Sequence, residues 1–351
     1  MKKFGSMVLS AVLAASLAGC GASGTASASS SSASGTSSSG KVYKVAIVKQ
    51  LQHASLDEIA NAITSELDAI AKKEGITIDY GDVYDGQNDQ SQLTTIGSQV
   101  VNDDVDCIIP IATLAAQTMA AAAQDSGTPV VFAAISDPES ADLTGFDNVT
   151  GTSDALDTDR ILDMMLAQNP DVKTVGLLYS TSETNSQKPI ADAKAYLDKK
   201  GISYVEATGN TTDEIQTAVS NLVSQKVDAV FTPTDNVVAS AELSIADTLA
   251  EAKIPHYVGA DSFVRNGAFA TCGVNYTDLG KKTADLAYQV MSQGFDSLTD
   301  DTIDGAEKVD NYYVIKGTIV TVNSETAEKG GFDDSSFSQF GDVTEVTTTE
   351  E

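Results

Sequence analysis

The sequence is poor in the residues that most often carry catalysis or bind metals. It has no tryptophan and only two histidines, His53 and His256, which stand far apart and outside any spacing typical of metal ligands. It also lacks a G-x-S-x-G nucleophile elbow, a glycine-rich phosphate loop and a G-x-G-x-x-G motif after a strand. Carboxylates are so abundant that no single pair of them is informative. These absences predict a protein that is not an enzyme and that uses no metal and no cofactor.

Positive charge is also scarce. The chain has 21 lysines and arginines against 50 aspartates and glutamates, which gives a formal charge of -29. Nucleic-acid binding needs basic surface to contact phosphates. The composition therefore excludes nucleic acid as a partner.

Cysteine is limited to Cys20, Cys107 and Cys272. Cys107 lies in the apolar run 105–109 and is predicted to be a buried core residue, and Cys272 ends another apolar run. A disulfide between Cys107 and Cys272 is the alternative, since an exported protein would permit one.

The N-terminus has the layout of an export signal. Lys2 and Lys3 precede a short apolar run, 7–17, which is too short to span a bilayer as a helix of about 20 residues. The run ends in Leu-Ala-Gly-Cys20, which resembles a bacterial lipobox, so residues 1–19 are predicted to be a signal peptide and Cys20 the lipidated first residue. A plain cleaved signal peptide is the alternative. The Ser-, Ala- and Gly-rich stretch 20–40 is predicted to be a flexible tether.

Strand and helix patterns alternate along the rest of the chain. Strand patterns at 43–49, 76–80, 105–111 and 130–135 are separated by amphipathic or alanine-rich helices, the first of which begins with Ser55 and Glu58 at a capping-box spacing. Such alternation predicts a parallel sheet covered by helices on both faces.

The same pattern then begins again. Strands at 174–179, 202–207, 227–232 and 256–259 alternate with three further helices, and 105–110 followed by an Ala-rich helix is echoed by 227–233. Two such units predict two similar α/β lobes. A single large doubly wound domain is the alternative.

Ligands of open parallel sheets collect at the carboxyl ends of the strands. The loops there are rich in hydroxyl, amide and carboxylate groups and open onto helix N-termini, which attract anions. Thr113 and Ser186 offer hydroxyl donors, and Asp137, Asp235 and Asp261 offer acceptors for an ammonium group. The combination suits a zwitterion such as an amino acid. For each residue taken singly, capping of a helix is an equally good interpretation.

Several of these segments resemble one family. The chain is similar to the ABC-transporter substrate-binding proteins whose better known members take up tryptophan, tyrosine or phenylalanine, from about residue 44 to 323. The matching segments are KQLQHASLD at 49–57, GQNDQS at 86–91, IATLAAQ at 111–117, SDP at 136–138, SETNS at 182–186, PTDN at 233–236 and GVNYTDLG at 273–280.

This resemblance implies a type I periplasmic-binding-protein fold, in which two Rossmann-like lobes with parallel sheets are joined by three hinge crossovers and close on a ligand. It places 43–150 with 274–300 in the first lobe and 151–273 with 301–322 in the second. The remainder, 323–351, is expected to be a disordered acidic tail.

The resemblance also points to the ligand contacts. Carried over by position, they are Gln50, Ser55, Thr113, Ala115, Asp137, Asn185, Ser186, Asp235, Asn236 and Asp261. Leu114 and Ala54 stand where many relatives have proline, which puts the identity of the ligand in doubt. Candidate aromatic partners for a ligand are Phe132, Tyr84, Tyr179 and Phe263.

Together these features predict a monomeric lipoprotein on the extracytoplasmic face of the cell membrane. It is predicted to capture an amino acid for the permease of an ABC importer, and the narrower form of this hypothesis is an aromatic amino acid. A ligand-sensing receptor of the same fold, a nucleoside-binding lipoprotein and a hydrolase are the alternatives.

Overall fold

The computed structural model describes residues 40–317 and 319–349. The predictions of a signal peptide, of a lipidated Cys20 and of a tether up to residue 39 lie outside these residues.

The described residues form fifteen strands and ten α-helices. The strands are β1 Val42–Lys49, β2 Thr77–Asp79, β3 Tyr84–Asp85, β4 Cys107–Ile111, β5 Val130–Ala133, β6 Val149–Ser153, β7 Thr174–Tyr179, β8 Ser203–Thr208, β9 Ala229–Thr232, β10 His256–Val258, β11 Ala270–Thr271, β12 Ala306–Val309, β13 Tyr312–Ile315, β14 Ile319–Asn323 and β15 Asp342–Val346. The helices are α1 Ala54–Glu74, α2 Gln90–Asn102, α3 Thr113–Ala123, α4 Thr158–Gln168, α5 Gln187–Lys200, α6 Thr212–Gln225, α7 Asn236–Glu251, α8 Asp261–Arg265, α9 Tyr276–Gln293 and α10 Ser324–Gly330.

The strands form two separate sheets. The first has the order β12-β13-β6-β5-β4-β1-β2, with β3 also paired to β1, and the second has the order β15-β14-β11-β10-β9-β7-β8. All pairs are parallel except β12 with β13 and β11 with β14. This is the predicted architecture of two α/β lobes, and it excludes a single doubly wound sheet.

Helices cover both faces of each sheet, as the apolar sequence of the strands requires. In β4 every residue is buried, because α1 and α9 lie on one face of the first sheet and α2 and α3 on the other. Helix α1 buries the predicted stripe that includes Leu56, Ile63 and Ile70, and it ends at Gly75, whose φ of 66° is the left-handed conformation glycine tolerates best. The second sheet is covered in the same way by α4 and α5 and by α6 and α7.

The boundary between the lobes differs from the predicted one. The resemblance places 301–322 in the second lobe, but β12 and β13 belong to the first sheet and only β14 joins the second. The chain changes lobes at Lys316 and Gly317, a polar and a small residue that interrupt the apolar run. Residues 151–153 also belong to the first sheet, as the end of β6.

The acidic tail is ordered up to Thr349, contrary to the prediction. Its strand β15 pairs in parallel with β14, and α10 precedes it. Phe337 is fully buried and packs against Tyr257 and Phe269 of the second lobe. The mean composition of the tail is polar, but Phe337, the partly buried Phe332 and Phe340 and the pairing of β15 with β14 together offset part of the entropy cost of ordering it.

Glycines lie where the segments that connect the two lobes pass close to each other and to the neighbouring loop. A Cβ atom on Gly273 would lie 1.9 Å from the carbonyl oxygen of Gly259, and one on Gly317 would lie 2.1 Å from the carbonyl oxygen of Gly273. The segments that connect the lobes therefore touch backbone to backbone, and a side chain at these positions would push them apart.

Cys107 lies in β4 of the first sheet, Cys272 directly follows β11 of the second, and both are buried free thiols, so the alternative of a disulfide between them is wrong. Burial raises the pKa of the Cys272 thiol to about 12. None of the helices in the described part of the chain is long and apolar enough to cross a membrane.

Candidate functional site

The loops at the carboxyl ends of the two sheets meet between the lobes. Several side-chain hydrogen bonds of the described residues cross directly from one lobe to the other, among them Gln50 Nε2 to Glu183 Oε1 at 3.1 Å, His53 Nε2 to Asn236 Oδ1 at 3.1 Å, Ser55 Oγ to Ser262 Oγ at 2.7 Å, and Ser136 Oγ to Thr234 Oγ1 at 3.0 Å. The lobes are therefore closed on each other, and the cleft between them is polar.

Gln50, directly after β1, organises the first-lobe side of the cleft. Its Oε1 accepts a hydrogen bond from the backbone N–H of Leu114 at 2.9 Å, while its Nε2 donates to Asn88 Oδ1 at 2.9 Å and to Glu183. Its side chain is buried, so these bonds fix the amide in one orientation.

The N-terminus of α3 opens onto the same place. The residue before it, Ala112, has φ 74° and ψ 163°, a conformation that a non-glycine residue adopts only at a cost of about 1–3 kcal/mol. Ala112 has no side chain that could cap the helix, Thr113 is the first helical residue, and Gln50 Oε1 takes only the N–H of Leu114. Free backbone N–H groups and the positive end of the helix dipole together make a site for a carboxylate.

Glu183 supplies the negative charge on the second-lobe side. It is almost fully buried, and its two oxygens accept hydrogen bonds from Gln50 Nε2 and, at 2.6 Å, from Asn236 Nδ2. Loss of hydration, followed by the nearby charge of Asp235, raises the pKa of Glu183 to about 7. The residue thus titrates near neutrality inside the cleft.

Asp235 lies behind Glu183 and holds the second-lobe loops together. Its carboxylate caps α7 by accepting from Val237 N and Val238 N at 3.1 and 3.0 Å. It also accepts from Ser180 N at 2.7 Å and from Ser186 Oγ at 2.6 Å. Burial raises the pKa of this carboxyl despite those bonds. Asp235 therefore positions the loops, and its lone pairs are already engaged.

His53 presents a hydrogen-bond acceptor without a partner. Because its Nε2 donates to Asn236 and burial lowers its pKa to about 4, the ring is neutral and Nδ1 carries the lone pair. Nδ1 is buried and has no hydrogen-bond partner among the described residues. An unpaired buried acceptor of this kind is expected where a ligand supplies the donor.

Asp261, at the start of α8, has one engaged and one free oxygen. Its Oδ2 accepts from Arg265 Nη1 and from Asn275 Nδ2, both at 2.9 Å. Its Oδ1 is buried and makes no hydrogen bond within the described part of the chain. Asp261 thus offers the second unpaired acceptor at the junction of the lobes.

A cavity of about 160 Å³ lies between the lobes at these loops. It is lined by Gln50, Asn88, Thr113, Leu114, Gln117, Ser182, Glu183, Thr184 and Asn185. Both lobes therefore contribute walls, which makes the cavity dependent on closure.

The ten predicted contacts fall into different positions. Gln50, Thr113 and Asn185 line the cavity, and Ser55 and Asn236 bond across the cleft. The side chains of Ser186 and Asp235 bond to each other, and Asp261 bonds to Asn275 and lines a separate cavity.

The side chains of two predicted contacts lie apart from the cleft. The methyl group of Ala115 is fully buried in the first-lobe core. Asp137 accepts from Ser140 N and Oγ at 3.0 and 2.7 Å in a surface turn. In this turn Asp137 acts as a local cap, which is the other interpretation that the sequence allows for a polar loop residue.

The candidate aromatic partners do not line the cavity either. Phe132 and Phe263 are buried in the lobe cores. The hydroxyl of Tyr84 accepts from Gln99, and that of Tyr179 donates to Glu206. Tyr276, which was not predicted, is buried at the junction of the lobes and donates to Asp154 Oδ2 at 2.9 Å.

His256 lies in the second-lobe core, as its apolar strand predicts. It is buried, with Nδ1 3.0 Å from Glu242 Oε1 and Nε2 2.8 Å from Thr232 Oγ1. Within residues 40–317 and 319–349, no three His, Cys, Asp or Glu residues are grouped so that they could hold a metal ion.

Comparison with known proteins points to one family. The model for ABC transporter substrate binding proteins matches residues 44–327. A tyrosine-binding protein from Clostridioides difficile (strain R20291) is 31% identical over 322 residues, which are 90% of this chain and 92% of that protein.

Solved structures agree. The ABC domain from Streptococcus pneumoniae in complex with L-Trp has 31% sequence identity and a TM-score of 0.73, and the match covers 87% of this chain and 100% of that one. A ligand-free, open substrate-binding protein with adhesive properties from Clostridium difficile has 30% identity and a TM-score of 0.62, over 88% of this chain and 100% of that one. At nearly equal identity, the L-Trp complex thus superposes better than the open structure. Because the family model and these relatives match nearly the whole folded body, the chain belongs to the ABC transporter substrate-binding proteins, which bind their substrates and are not enzymes.

Proposed function

We propose that the protein captures an amino acid between its lobes and delivers it to the permease of an ABC importer. It works on the extracytoplasmic face of the membrane as a monomer anchored by a lipid on Cys20. One observation carries the choice of ligand class: groups suited to both ends of a zwitterion converge from the two lobes on one small cavity.

The carboxylate end of the ligand has a partner on the first lobe. Thr113 and the uncapped backbone N–H groups of α3 offer hydrogen-bond donors and a partial positive charge. Gln50 already holds the N–H of Leu114, so the remaining donors of this helix end are directed to the ligand.

The ammonium end has acceptors on both lobes. Glu183 provides a buried carboxylate with lone pairs beyond those used by Gln50 and Asn236. The unpaired Nδ1 of His53 and Oδ1 of Asp261 are buried acceptors at the junction of the lobes, beyond the residues that line the cavity. Asn185 lines the same cavity, and Asn236, Ser55 and Ser186 belong to the polar surround between the lobes. Asp235 acts through these residues by fixing their loops.

The size of the cavity favours an amino acid over a nucleoside. Its volume of about 160 Å³ is below the roughly 300–1,000 Å³ usual for drug-sized ligands. Named relatives bind tyrosine or were crystallised with L-Trp, which supports an aromatic amino acid. An aromatic side chain would need this small cavity to widen, and it would find no aromatic ring among the lining residues to stack on.

Isothermal titration calorimetry against the twenty standard L-amino acids, adenosine and guanosine tests the ligand class. We expect at least one amino acid to bind at a ratio of about one to one, with both its decarboxylated and its deaminated analogue binding much more weakly. Glu183→Gln should weaken binding, whereas Glu206→Gln, at the second-lobe surface beside Lys194, should leave it unchanged. Binding of a nucleoside with no response to any amino acid would contradict the proposal.

The anchor and the transport role need separate tests. In cells that express the full chain, we expect the protein to partition into the detergent phase of Triton X-114, and Cys20→Ser should move it to the aqueous phase. Uptake of the radiolabelled ligand should fall when the gene is deleted and should return with the wild-type protein.

A further inference from the structure

A charged cluster at the rim of the cleft joins the lobes outside the ligand cavity. Arg265, the last residue of α8 in the second lobe, pairs with Glu58 on α1 of the first lobe and with Asp261 Oδ2 at 2.9 Å. Glu58 also accepts from Thr277 Oγ1 at 2.6 Å. The side chains of Arg265 and Glu58 are 29% and 19% exposed, so water and salt screen this ion pair less than a surface pair. We call it the Glu58–Arg265 clamp.

The two residues of α1 that have the spacing of a capping box contact the second lobe. Ser55 and Glu58 have the spacing of a capping box, yet the N-terminus of α1 has no side-chain cap. Ser55 instead bonds to Ser262, and Glu58 to Arg265, both in the second lobe. Because α1 begins at Ala54, with His53 as its N-cap, Ser55 and Glu58 lie inside its first turns, and their side chains contact the second lobe.

The C-terminal segment 331–349 ends on the clamp. Thr349 donates to the carbonyl oxygen of Arg265 through its N–H at 2.9 Å and through Oγ1 at 3.3 Å. Asn323 Nδ2 donates both to Thr348 Oγ1 at 2.9 Å and to the carbonyl oxygen of Val264 at 2.8 Å. Thr348 and Thr349 therefore fix the position of the backbone at Val264 and Arg265, from which the Arg265 side chain extends.

The same segment also reaches the hinge. Arg160 donates to the carbonyl oxygen of Gly317, in the third crossover, at 3.0 Å, and also to that of Phe340. Arg160 thus links the segment to the third crossover between the lobes. Arg265 links the same segment to the Glu58–Arg265 clamp. The segment lies beyond residue 327, where the match to the family model ends.

We propose that Arg265 is a positioning residue for ligand capture, which with Glu58 holds the lobes closed while the C-terminal segment 331–349 keeps it in place. This inference rests on the proposed function because it assumes that the protein binds its amino acid only when the two lobes are closed. The apparent dissociation constant equals the intrinsic one divided by the fraction of molecules in the closed, competent state. An interaction present only in the closed state raises that fraction without touching the ligand.

Three variants of the clamp and one control test this proposal. We expect Arg265→Ala and Glu58→Gln each to raise the dissociation constant of the bound amino acid about tenfold, within the range usual for coupling between sites. Arg265→Lys should recover part of the loss, because lysine keeps the charge but not the two-pronged geometry. Lys329→Ala is the control: it breaks pairs with Asp247 and Glu251 inside the second lobe and should leave affinity unchanged.

The segment is tested by two chains that differ by two residues. A chain that stops after Thr347 loses the bonds to Arg265 and Asn323, and should bind at least threefold more weakly than a chain that stops after Thr349. Circular dichroism and urea unfolding check that both are folded. Equal affinity of the two chains, or of Arg265→Ala and wild type, would overturn the proposal.

Small-angle scattering without ligand separates this inference from the proposed function. The clamp variants should have a larger radius of gyration than wild type, and Lys329→Ala should not. If no amino acid binds but the clamp variants expand, the ligand class is wrong and the clamp stands. If an amino acid binds while all scattering curves coincide, the clamp is refuted.

Discussion

The buried carboxyl of Glu183 should make its own contribution to the pH dependence of the unfolding free energy. Burial raises the pKa of its carboxyl from the usual 4.5 to about 7. Between these two values the folded protein keeps a proton that the unfolded chain has released, so stability falls as pH rises, by about 1.4 kcal/mol per pH unit. Over the whole interval the loss is roughly 3 kcal/mol, complete once the pH exceeds the folded-state pKa.

Urea unfolding of wild type and Glu183→Gln at pH 4.5, 6 and 8 measures this contribution. Glutamine is neutral at every pH, so the stability of the variant relative to wild type should increase by about 3 kcal/mol from the lowest to the highest pH. Glu139→Gln, in an exposed turn, is the control and should follow wild type. Parallel curves for wild type and Glu183→Gln would refute the reasoning, because Glu183 would then titrate alike in both states.

Three further predictions concern binding and the hinge. An ammonium group beside Glu183 favours its charged form, so amino-acid binding below pH 7 should release up to one proton, measured by calorimetry in buffers of different ionisation enthalpy; equal heats in all buffers would contradict this. Gly273→Ala would put a Cβ 1.9 Å from the carbonyl oxygen of Gly259 and should lower the unfolding free energy by about 3 kcal/mol in urea titrations, whereas Gly145→Ala, with open space around it, should change it by less than about 0.5 kcal/mol. Gln50→Ala removes bonds to both the α3 backbone and Glu183 and should weaken ligand binding about tenfold by calorimetry; an unchanged affinity would remove Gln50 from the site.

Much of the fold could be predicted because buried strands and helices require characteristic patterns of apolar residues within a short stretch of sequence. A strand such as β4, covered on both faces, must be apolar throughout, and a helix such as α1 must carry a stripe on one side. These patterns depend only on neighbouring residues, so they predict the two lobes. Which sheet a strand joins depends on distant partners, and that is why β13 was placed in the wrong lobe.

The order of the C-terminal segment was missed for a related reason. Composition averaged over residues 323–351 is polar and acidic, which is typical of a disordered tail. Order comes from a few specific contacts, above all Phe337 in the second-lobe core and the pairing of β15 with β14. A window average cannot register one aromatic side chain that fits one distant pocket.

The site shows the same limit at the level of single residues. In the sequence, a polar residue at a helix start fits capping and ligand contact equally well, and only the structure separates them. Asp235 caps α7, so the next residue, Asn236, is free to bridge Glu183 and His53. Glu183 was missed because nothing marks one acid among many until its neighbours are known. Capping of α7 by Asp235 thus leaves the side chain of Asn236 free to bond across the cleft.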